Sequence, residues 1–161
     1  MDKENILMRI QDCGIVAVVR AESADKAERI VDACMEGGVA AIELTFSVPH
    51  ADRVIETLSY KYDPKDIILA AGTVMDAATA RIAMLSGAQY IVSPYLDRET
   101  LRMCNRYRVP MMPGVMSVRE AVTAMENGAD ILKVFPGDLF GPKIIKDILG
   151  PIPYAKMMPT G

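Results

Sequence analysis

One short pattern recurs three times along the sequence and limits the fold more than any other feature. In each copy a glycine ends an amphipathic stretch and a short apolar run follows; the glycines are Gly38, Gly87 and Gly128. They are 49 and 41 residues apart, so about two β/α units separate one glycine from the next. Strands that alternate with helices in this way predict a parallel sheet with right-handed crossovers.

Seven apolar, β-rich runs alternate with the helical stretches. They cover residues 15–20, 40–46, 67–73, 90–94, 110–115, 131–136 and 155–160. The clearest helical pattern places Ala27, Ile30 and Val31 on one face, with Ser23 as its N-cap. We expect one α/β domain over residues 1–161. It is either a closed (β/α)8 barrel, with about seven of the eight units present, or an open doubly wound sheet.

The residue five positions after each repeated glycine has an equivalent place in its strand. These residues are Glu43, Val92 and Lys133. In a closed barrel, side chains from alternate strands build the interior layers, and active sites lie at the carboxyl ends of the strands. The repeat therefore predicts that Glu43 and Lys133 share one interior layer near that end of the barrel.

Lys133 interrupts an apolar run at residues 131–135 that is otherwise fit for burial. A buried ammonium is costly unless it is paired or loses its proton, and the neutral amine is the nucleophile of a Schiff-base lysine. Glu43 is the matching carboxylate, and one carboxylate can act as base and acid in an aldol cleavage. The pair predicts Schiff-base chemistry; the alternative is an ion pair that only fixes the core.

Other candidate residues stand at the ends of the predicted strands. Arg20 ends the first run, and its planar guanidinium suits a substrate carboxylate; a salt bridge at the rim is the alternative. Thr73 follows small residues that allow a ligand to approach the backbone, although a plain turn has the same pattern. Pro94 and Phe135 are candidates for the apolar walls of a pocket.

Composition argues against several other function classes. The net charge is −3 with acids and bases interspersed, which is unlike a nucleic-acid or membrane-binding surface. His50 is the only histidine, so a Ser-His-Asp triad or a multi-histidine metal site is not expected. No apolar run reaches the length of a membrane span, and we expect a cytoplasmic protein.

Seven segments, in order, resemble the 2-keto-3-deoxy-6-phosphogluconate (KDPG) and 4-hydroxy-2-oxoglutarate (KHG) aldolases. They are residues 15–20, 42–45, 71–73, 93–94, 112–114, 132–136 and 159–161. The resemblance implies a (β/α)8 barrel that forms a homotrimer. It also implies reversible cleavage of a 2-keto acid, without metal or other cofactor, to pyruvate plus glyceraldehyde 3-phosphate or glyoxylate.

The same resemblance implies roles for the candidate residues. Lys133 would form the Schiff base and Glu43 would shuttle protons. The implied substrate-binding residues are Arg20, Thr73, Pro94, Phe135, Thr160 and Gly161. The first two would hold the substrate carboxylate, the next two would wall the pocket, and the last two would contact the substrate or its phosphate.

Two departures from the family pattern qualify these expectations. Ser47 stands where some members carry an arginine that grips the carboxylate, a task that Arg20 would take over. Family members also continue past Gly161 with an eighth strand and a helix, so we expect a fragment, or a part completed by another chain, with exposed sheet edges. The rival interpretations are an inactive barrel fragment or assembly module, and another phosphate-binding barrel enzyme such as a sugar-phosphate epimerase.

Overall fold

Helices and parallel strands alternate through the computed structural model, which describes residues 2–161. The strands are β1 (Val16–Val19), β2 (Ala41–Thr45), β3 (Ile68–Gly72), β4 (Tyr90–Val92), β5 (Met111–Met112), β6 (Gly114–Val115), β7 (Leu132–Val134) and β8 (Met157–Pro159). The helices are α1 (Lys3–Cys13), α2 (Ala24–Glu36), α3 (Ala51–Lys61), α4 (Ala77–Leu85), α5 (Arg98–Arg106), α6 (Val118–Glu126), α7 (Gly137–Phe140) and α8 (Lys143–Leu149). All seven predicted strands are present, but each is shorter than expected, and the fifth is divided into β5 and β6.

The order of the strands identifies the architecture. Strands β1 to β5 form one parallel sheet in chain order, and β6 to β8 form a second. Only Pro113 separates β5 from β6, and its carbonyl accepts a hydrogen bond of 2.9 Å from the backbone N–H of Lys133. The two sheets therefore continue one another around an arc. A doubly wound sheet reverses its strand order at a switch point, so the sequential order corresponds to the (β/α)8 barrel.

The apolar side chains of the strands belong to two separate buried clusters, one on each face of the sheet. Ala70 and Val92 belong to the cluster inside the barrel, whereas Leu69 and Ile91 belong to the cluster between strands and helices. This alternation follows from the two-residue period of a strand. Helix α1 closes one end of the barrel and buries Ile6 in the interior cluster. Strand residues that alternate with those of the interior cluster therefore point toward the helices and away from the barrel interior.

The three repeated glycines end helices in the same way. Gly38, Gly87 and Gly128 all have positive φ, at 84°, 105° and 92°, a conformation that costs glycine little. In each copy the N–H of the next residue donates to the carbonyl five residues earlier, the bond of a Schellman C-cap. The bonds are Val39 to Cys34, Ala88 to Ala83 and Ala129 to Ala124. The repeat in the sequence is thus a repeated helix ending.

The other helix signal read from the sequence is also confirmed. Ser23 has an extended backbone, and its hydroxyl accepts a hydrogen bond of 3.3 Å from the N–H of Lys26 at the start of α2. Among the helices of residues 2–161, none combines the length and apolar character that crossing a bilayer requires.

The barrel is open between its first and last strands. Within residues 2–161, β1 pairs only with β2, and β8 pairs only with β7. A cavity of about 590 Å³ lies between these two edges, with Val16 and Val18 on one side and Met158 on the other. The expected exposed sheet edges at both ends of the arc are therefore present.

Candidate active site

Lys133 and Glu43 meet inside the barrel. Each lies two residues after an interior residue of its own strand segment, Ile131 and Ala41 respectively, and so faces the interior. The Nζ of Lys133 is 3.7 Å from Oε1 of Glu43. Lys133 is 5% exposed and Glu43 is 1% exposed. The prediction that these two side chains lie together in the interior is confirmed.

A glycine on the neighbouring strand makes room for the Glu43 carboxylate. Gly72 ends β3, beside Thr45 of β2 in the register of the sheet. A β-carbon at Gly72 would collide with the carboxylate and Cγ of Glu43. Gly72 was one of the small residues before Thr73 in the sequence, but its partner across the sheet could not be read from the sequence.

Burial dominates the electrostatics of Glu43. Loss of water raises the pKa of its carboxyl above the usual value, and the positive charges of Lys133 and then Arg20 offset part of that rise. Neither carboxylate oxygen has a hydrogen-bond partner in the part of the chain that the structure describes. Because the pair is close but not hydrogen-bonded, the carboxylate is poorly compensated for its burial.

Arg20 and Thr73 follow β1 and β3 at the carboxyl ends of those strands. The side chain of Arg20 is exposed, and its charge reaches Glu43. Thr73 is half-buried and has a φ of 57°, which is unusual for a β-branched residue and strains the backbone. Strained backbone of this kind occurs often at functional sites.

Pro94 and Phe135 follow β4 and β7 at the carboxyl ends of those strands, and both are half-buried. The ring centre of Phe135 is 5.2 Å from Nζ of Lys133, so this ring forms one wall of the space around the amine. Pro94 lies against Gly114 of β6, because a β-carbon at Gly114 would collide with the carbonyl group of Pro94.

Thr160 and Gly161 follow β8 at the open side of the barrel. The N–H of Thr160 donates to Val134 (3.0 Å), and its carbonyl accepts from Gly137 (2.7 Å) at the start of α7. Thr160, Gly161 and Glu43 all line the cavity between β1 and β8. The two residues predicted to contact the substrate or its phosphate and the predicted proton shuttle therefore line one cavity.

Tyr90 is an interior residue that the sequence did not single out. It is fully buried in β4, and its hydroxyl has no hydrogen-bond partner among the described residues. Burial and the nearby charges of Glu43 and Cys13 raise its pKa well above the usual value. A tyrosine at the start of a β-rich run is ordinary in a sequence, so only the interior location distinguishes it.

Ser47 contacts its own strand rather than the interior pair. Its hydroxyl donates a hydrogen bond of 3.1 Å to the hydroxyl of Thr45, at the end of β2. A short neutral side chain therefore stands at the position where only some members of the resembling family carry an arginine.

Known aldolases are similar to this chain in sequence and fold. A sequence model of the KDPG and KHG aldolases matches residues 6–161. The 2-dehydro-3-deoxy-phosphogluconate aldolase of Haemophilus influenzae is 31% identical over 159 residues, which are 98% of this chain and 74% of that protein. The 2-dehydro-3-deoxy-6-phosphogalactonate aldolase of Escherichia coli K12 is 32% identical over 139 residues, which are 86% of this chain and 67% of that protein.

A solved structure is similar over most of the chain. The KDPG aldolase of Legionella pneumophila, with pyruvate captured at low pH as a covalent carbinolamine intermediate, has a TM-score of 0.85 and 29% identity. The similarity covers 91% of this chain and 70% of that one. The chain therefore belongs to the KDPG and KHG aldolase family of carbon–carbon lyases, and its fold is that of their (β/α)8 barrels.

Proposed function

We propose that this chain is a class I aldolase in which Lys133 forms a Schiff base with a 2-keto acid. One observation carries the proposal: the amine of Lys133 is buried beside a single carboxylate, 3.7 Å away, in an otherwise apolar interior. A lysine amine is the nucleophile that attacks the carbonyl carbon when a Schiff base forms. The carbinolamine captured in the Legionella relative supports the same chemistry.

The reaction follows from the positions of these two groups. The nitrogen of Lys133 adds to the keto carbon C2, and loss of water from the carbinolamine gives an iminium. A base then takes the proton of the C4 hydroxyl, the C3–C4 bond breaks, and its electrons form an enamine while the aldehyde leaves. Protonation of the enamine at C3 and addition of water release pyruvate and the free amine. No metal ion takes part in any of these steps.

Glu43 is the proposed proton shuttle for both proton transfers. A shuttle must accept the hydroxyl proton and return a proton to C3, which requires a pKa near the working pH. Burial moves the pKa of Glu43 in that direction. The nearness of Glu43 to Lys133 supports the assignment, because the reacting carbon atoms lie within two or three bonds of the Schiff-base nitrogen.

Six further residues are proposed to bind the substrate. They are Arg20, Thr73, Pro94, Phe135, Thr160 and Gly161. The exposed guanidinium at the end of β1 suits a carboxylate, and the ring at the end of β7 borders the amine. The two residues after β8 share a cavity with Glu43, which supports a role for them at the far end of the substrate.

The proposed substrates are KDPG, KHG or both, with glyceraldehyde 3-phosphate or glyoxylate as the aldehyde product. The two relatives differ in the sugar acid that they are named for, phosphogluconate in Haemophilus influenzae and phosphogalactonate in Escherichia coli. Measuring pyruvate release from each substrate separately gives the two values of kcat/KM. We expect release from at least one of them; failure with both, in a folded protein, would contradict the proposed substrate class.

Reductive trapping tests the Schiff base directly. The protein is incubated with pyruvate, reduced with borohydride and digested, and mass spectrometry locates the adduct. We expect the adduct on the peptide that contains Lys133 and its loss in Lys133→Met. Lys156→Met is the matched control, because Lys156 is also a lysine beside a strand but is exposed at the start of β8. A folded wild-type chain without an adduct would falsify the proposal and favour the inactive fragment or assembly module.

Proton exchange tests the role of Glu43 separately. Glu43→Gln keeps the shape of the side chain but removes its basicity. We expect this variant to trap pyruvate still, and to exchange the methyl protons of pyruvate with deuterated water at least about a hundredfold more slowly, as loss of a general base predicts. An unchanged exchange rate would exclude Glu43 as the shuttle.

The proposed assembly is a homotrimer. Exposed apolar side chains on the helices, such as Ile82 and Leu85 of α4, provide area for contacts between subunits. Light scattering on the purified chain measures the mass, and a value of one or two subunits would contradict this proposal.

A further inference from the structure

The register of the sheet places Tyr90 and Glu43 in one row of the barrel interior. Glu43 of β2 is the partner of Ala70 in β3, and Ala70 is the partner of Tyr90 in β4. Two strand spacings, about 10 Å, therefore separate their backbones. The residue between them, Ala70, has only a methyl side chain, and the side chain of Glu43 extends from this row to the position beside Gly72.

The polar ends of these two side chains are the buried atoms that lack partners. Among the described residues, the unpartnered buried side-chain atoms are both carboxylate oxygens of Glu43 and the hydroxyl of Tyr90. Buried polar atoms in folded proteins are nearly always hydrogen-bonded, either to protein or to an ordered water. These three atoms belong to two residues of one interior row, so a shared partner accounts for them better than three separate defects.

We propose that Tyr90 is a positioning residue for Glu43: its hydroxyl donates a hydrogen bond to a buried water, which in turn donates to the Glu43 carboxylate. The arrangement leaves the other carboxylate oxygen facing Lys133. This inference rests on the proposed role of Glu43 as the proton shuttle. Burial and then the nearby charge of Glu43 raise the pKa of Tyr90, which keeps the phenol protonated as a donor.

The charged and titratable groups around this row define what the hydrogen bond does. Lys133 of β7 and Arg20 after β1 act on Glu43, and Cys13 at the end of α1 acts on Tyr90. A donor to the carboxylate stabilises its ionised form and lowers its pKa. Removal of the donor should therefore make Glu43 harder to ionise, and the exchange reaction should need a higher pH.

The test measures deuterium exchange at the methyl group of pyruvate against pH, in the wild type and in Tyr90→Phe. We expect the acidic midpoint of the profile to rise by about one pH unit and the plateau rate to fall about three- to tenfold in the variant. The KM for pyruvate should stay within about twofold, because Tyr90 acts through Glu43 and does not touch the substrate. A purely structural role would lower the rate without moving the midpoint.

Two matched variants control for other effects. Tyr62→Phe removes the same atom at the surface, where the hydroxyl of Tyr62 donates to Asp32 at 2.6 Å, and should leave the midpoint unchanged. Cys13→Ala removes the other titratable group that acts on Tyr90, and should also leave it unchanged. A shift in Cys13→Ala as large as that in Tyr90→Phe would overturn the proposal.

A second measurement keeps the inference testable if Tyr90→Phe does not fold. Wild-type protein labelled with 3-fluorotyrosine retains every hydroxyl but makes each a stronger donor, so the midpoint should fall. An unchanged midpoint in the folded variant or in the labelled protein overturns the role of Tyr90. If the wild type neither traps pyruvate on Lys133 nor exchanges its protons, the proposed function fails as well; if it does both, only the inference on Tyr90 is lost.

Discussion

A single buried pair, Lys133 and Glu43, carries the chemistry proposed for this barrel, and its geometry differs from that of an ordinary ion pair. The two side chains are 3.7 Å apart, and the carboxylate has no hydrogen bond from the described residues. A buried pair with this geometry recovers little of the free energy lost when water is removed. It stabilises the fold poorly, but it keeps an amine and a carboxylate together in the interior, as the proposed function requires.

Gly72 permits the position of the Glu43 carboxylate because it has no side chain. We expect Gly72→Ala to lower the free energy of unfolding by about 1–3 kcal/mol, because its β-carbon would force the Glu43 carboxylate to move. Urea denaturation measures the change. Gly37→Ala is the control, since a β-carbon there meets only backbone carbonyls at 3.4 Å or more and should cost little. Equal stability of the two variants would show that the Glu43 side chain can adopt another conformation at no cost.

Glu43 should also affect how stability depends on pH. Its folded-state pKa is raised by burial, so its contribution to stability is full below the unfolded value, about 4.3, and is lost as pH rises through the folded value. Glutamine does not ionise, so Glu43→Gln should not lose this contribution. We expect the free energy of unfolding of the variant to fall less steeply than that of the wild type as pH rises above about 4.3. Urea denaturation at several pH values provides the comparison, and identical slopes would contradict the prediction.

Asp76 provides a control of opposite sign for that experiment. Hydrogen bonds from Thr79 lower its pKa, so its contribution to stability is present above the unfolded value, about 3.9, and is lost as pH falls. Asp76→Asn should therefore change the slope only at the acidic end, and by a small amount because the side chain is exposed.

Among the elements, the helix endings were predicted well and the strand lengths were not. Gly38, Gly87 and Gly128 end their helices with the same hydrogen bond, which is a local signal and is therefore visible in a sequence. The fifth strand was predicted as one run over 110–115, but Pro113 has no N–H for the ladder and divides it. Strand bounds depend on pairing with neighbours, which local sequence does not specify.

Helix α1 stabilises the end of the barrel that it closes, because its residue Ile6 is buried in the interior cluster. We expect Ile6→Ala to lower the free energy of unfolding by about 2–4 kcal/mol, through lost burial and the cavity left behind. Met8→Ala, on the same helix but 52% exposed, should change it by less than about 0.5 kcal/mol. Urea denaturation of both variants tests this. Similar losses would mean that α1 does not close the barrel through its interior face.

At the scale of the whole molecule, the arc of strands is open between β1 and β8. The cavity at this opening reaches Glu43 and the residues after β8, so one opening connects the interior carboxylate with Thr160 and Gly161. Strands on either side of the opening are paired on one side only, whereas β2 and β3 are paired on both. Local opening should therefore cost less free energy at the edges than in the middle of the sheet.

Hydrogen exchange tests that difference. We expect the backbone amides of β1 and β8 to exchange faster than those of β2 and β3 by about tenfold or more, because a single ladder protects them. Mass spectrometry of short peptides gives the rates for each strand. Equal protection of all four strands would indicate that another segment or subunit pairs with the open edges.

The sequence by itself determined the alternation of elements, the ends of the helices, and the polar residues that interrupt apolar strands. These are local properties, since a period, a cap or a buried charge can be recognised from neighbouring residues. The repeat extended this to one distant pair, Glu43 and Lys133. Tertiary structure alone decided that Gly72 makes room for Glu43 and that Tyr90 lies in the same row. Those contacts depend on the register between strands and on the curvature of the sheet, which side chains far apart in the chain establish together.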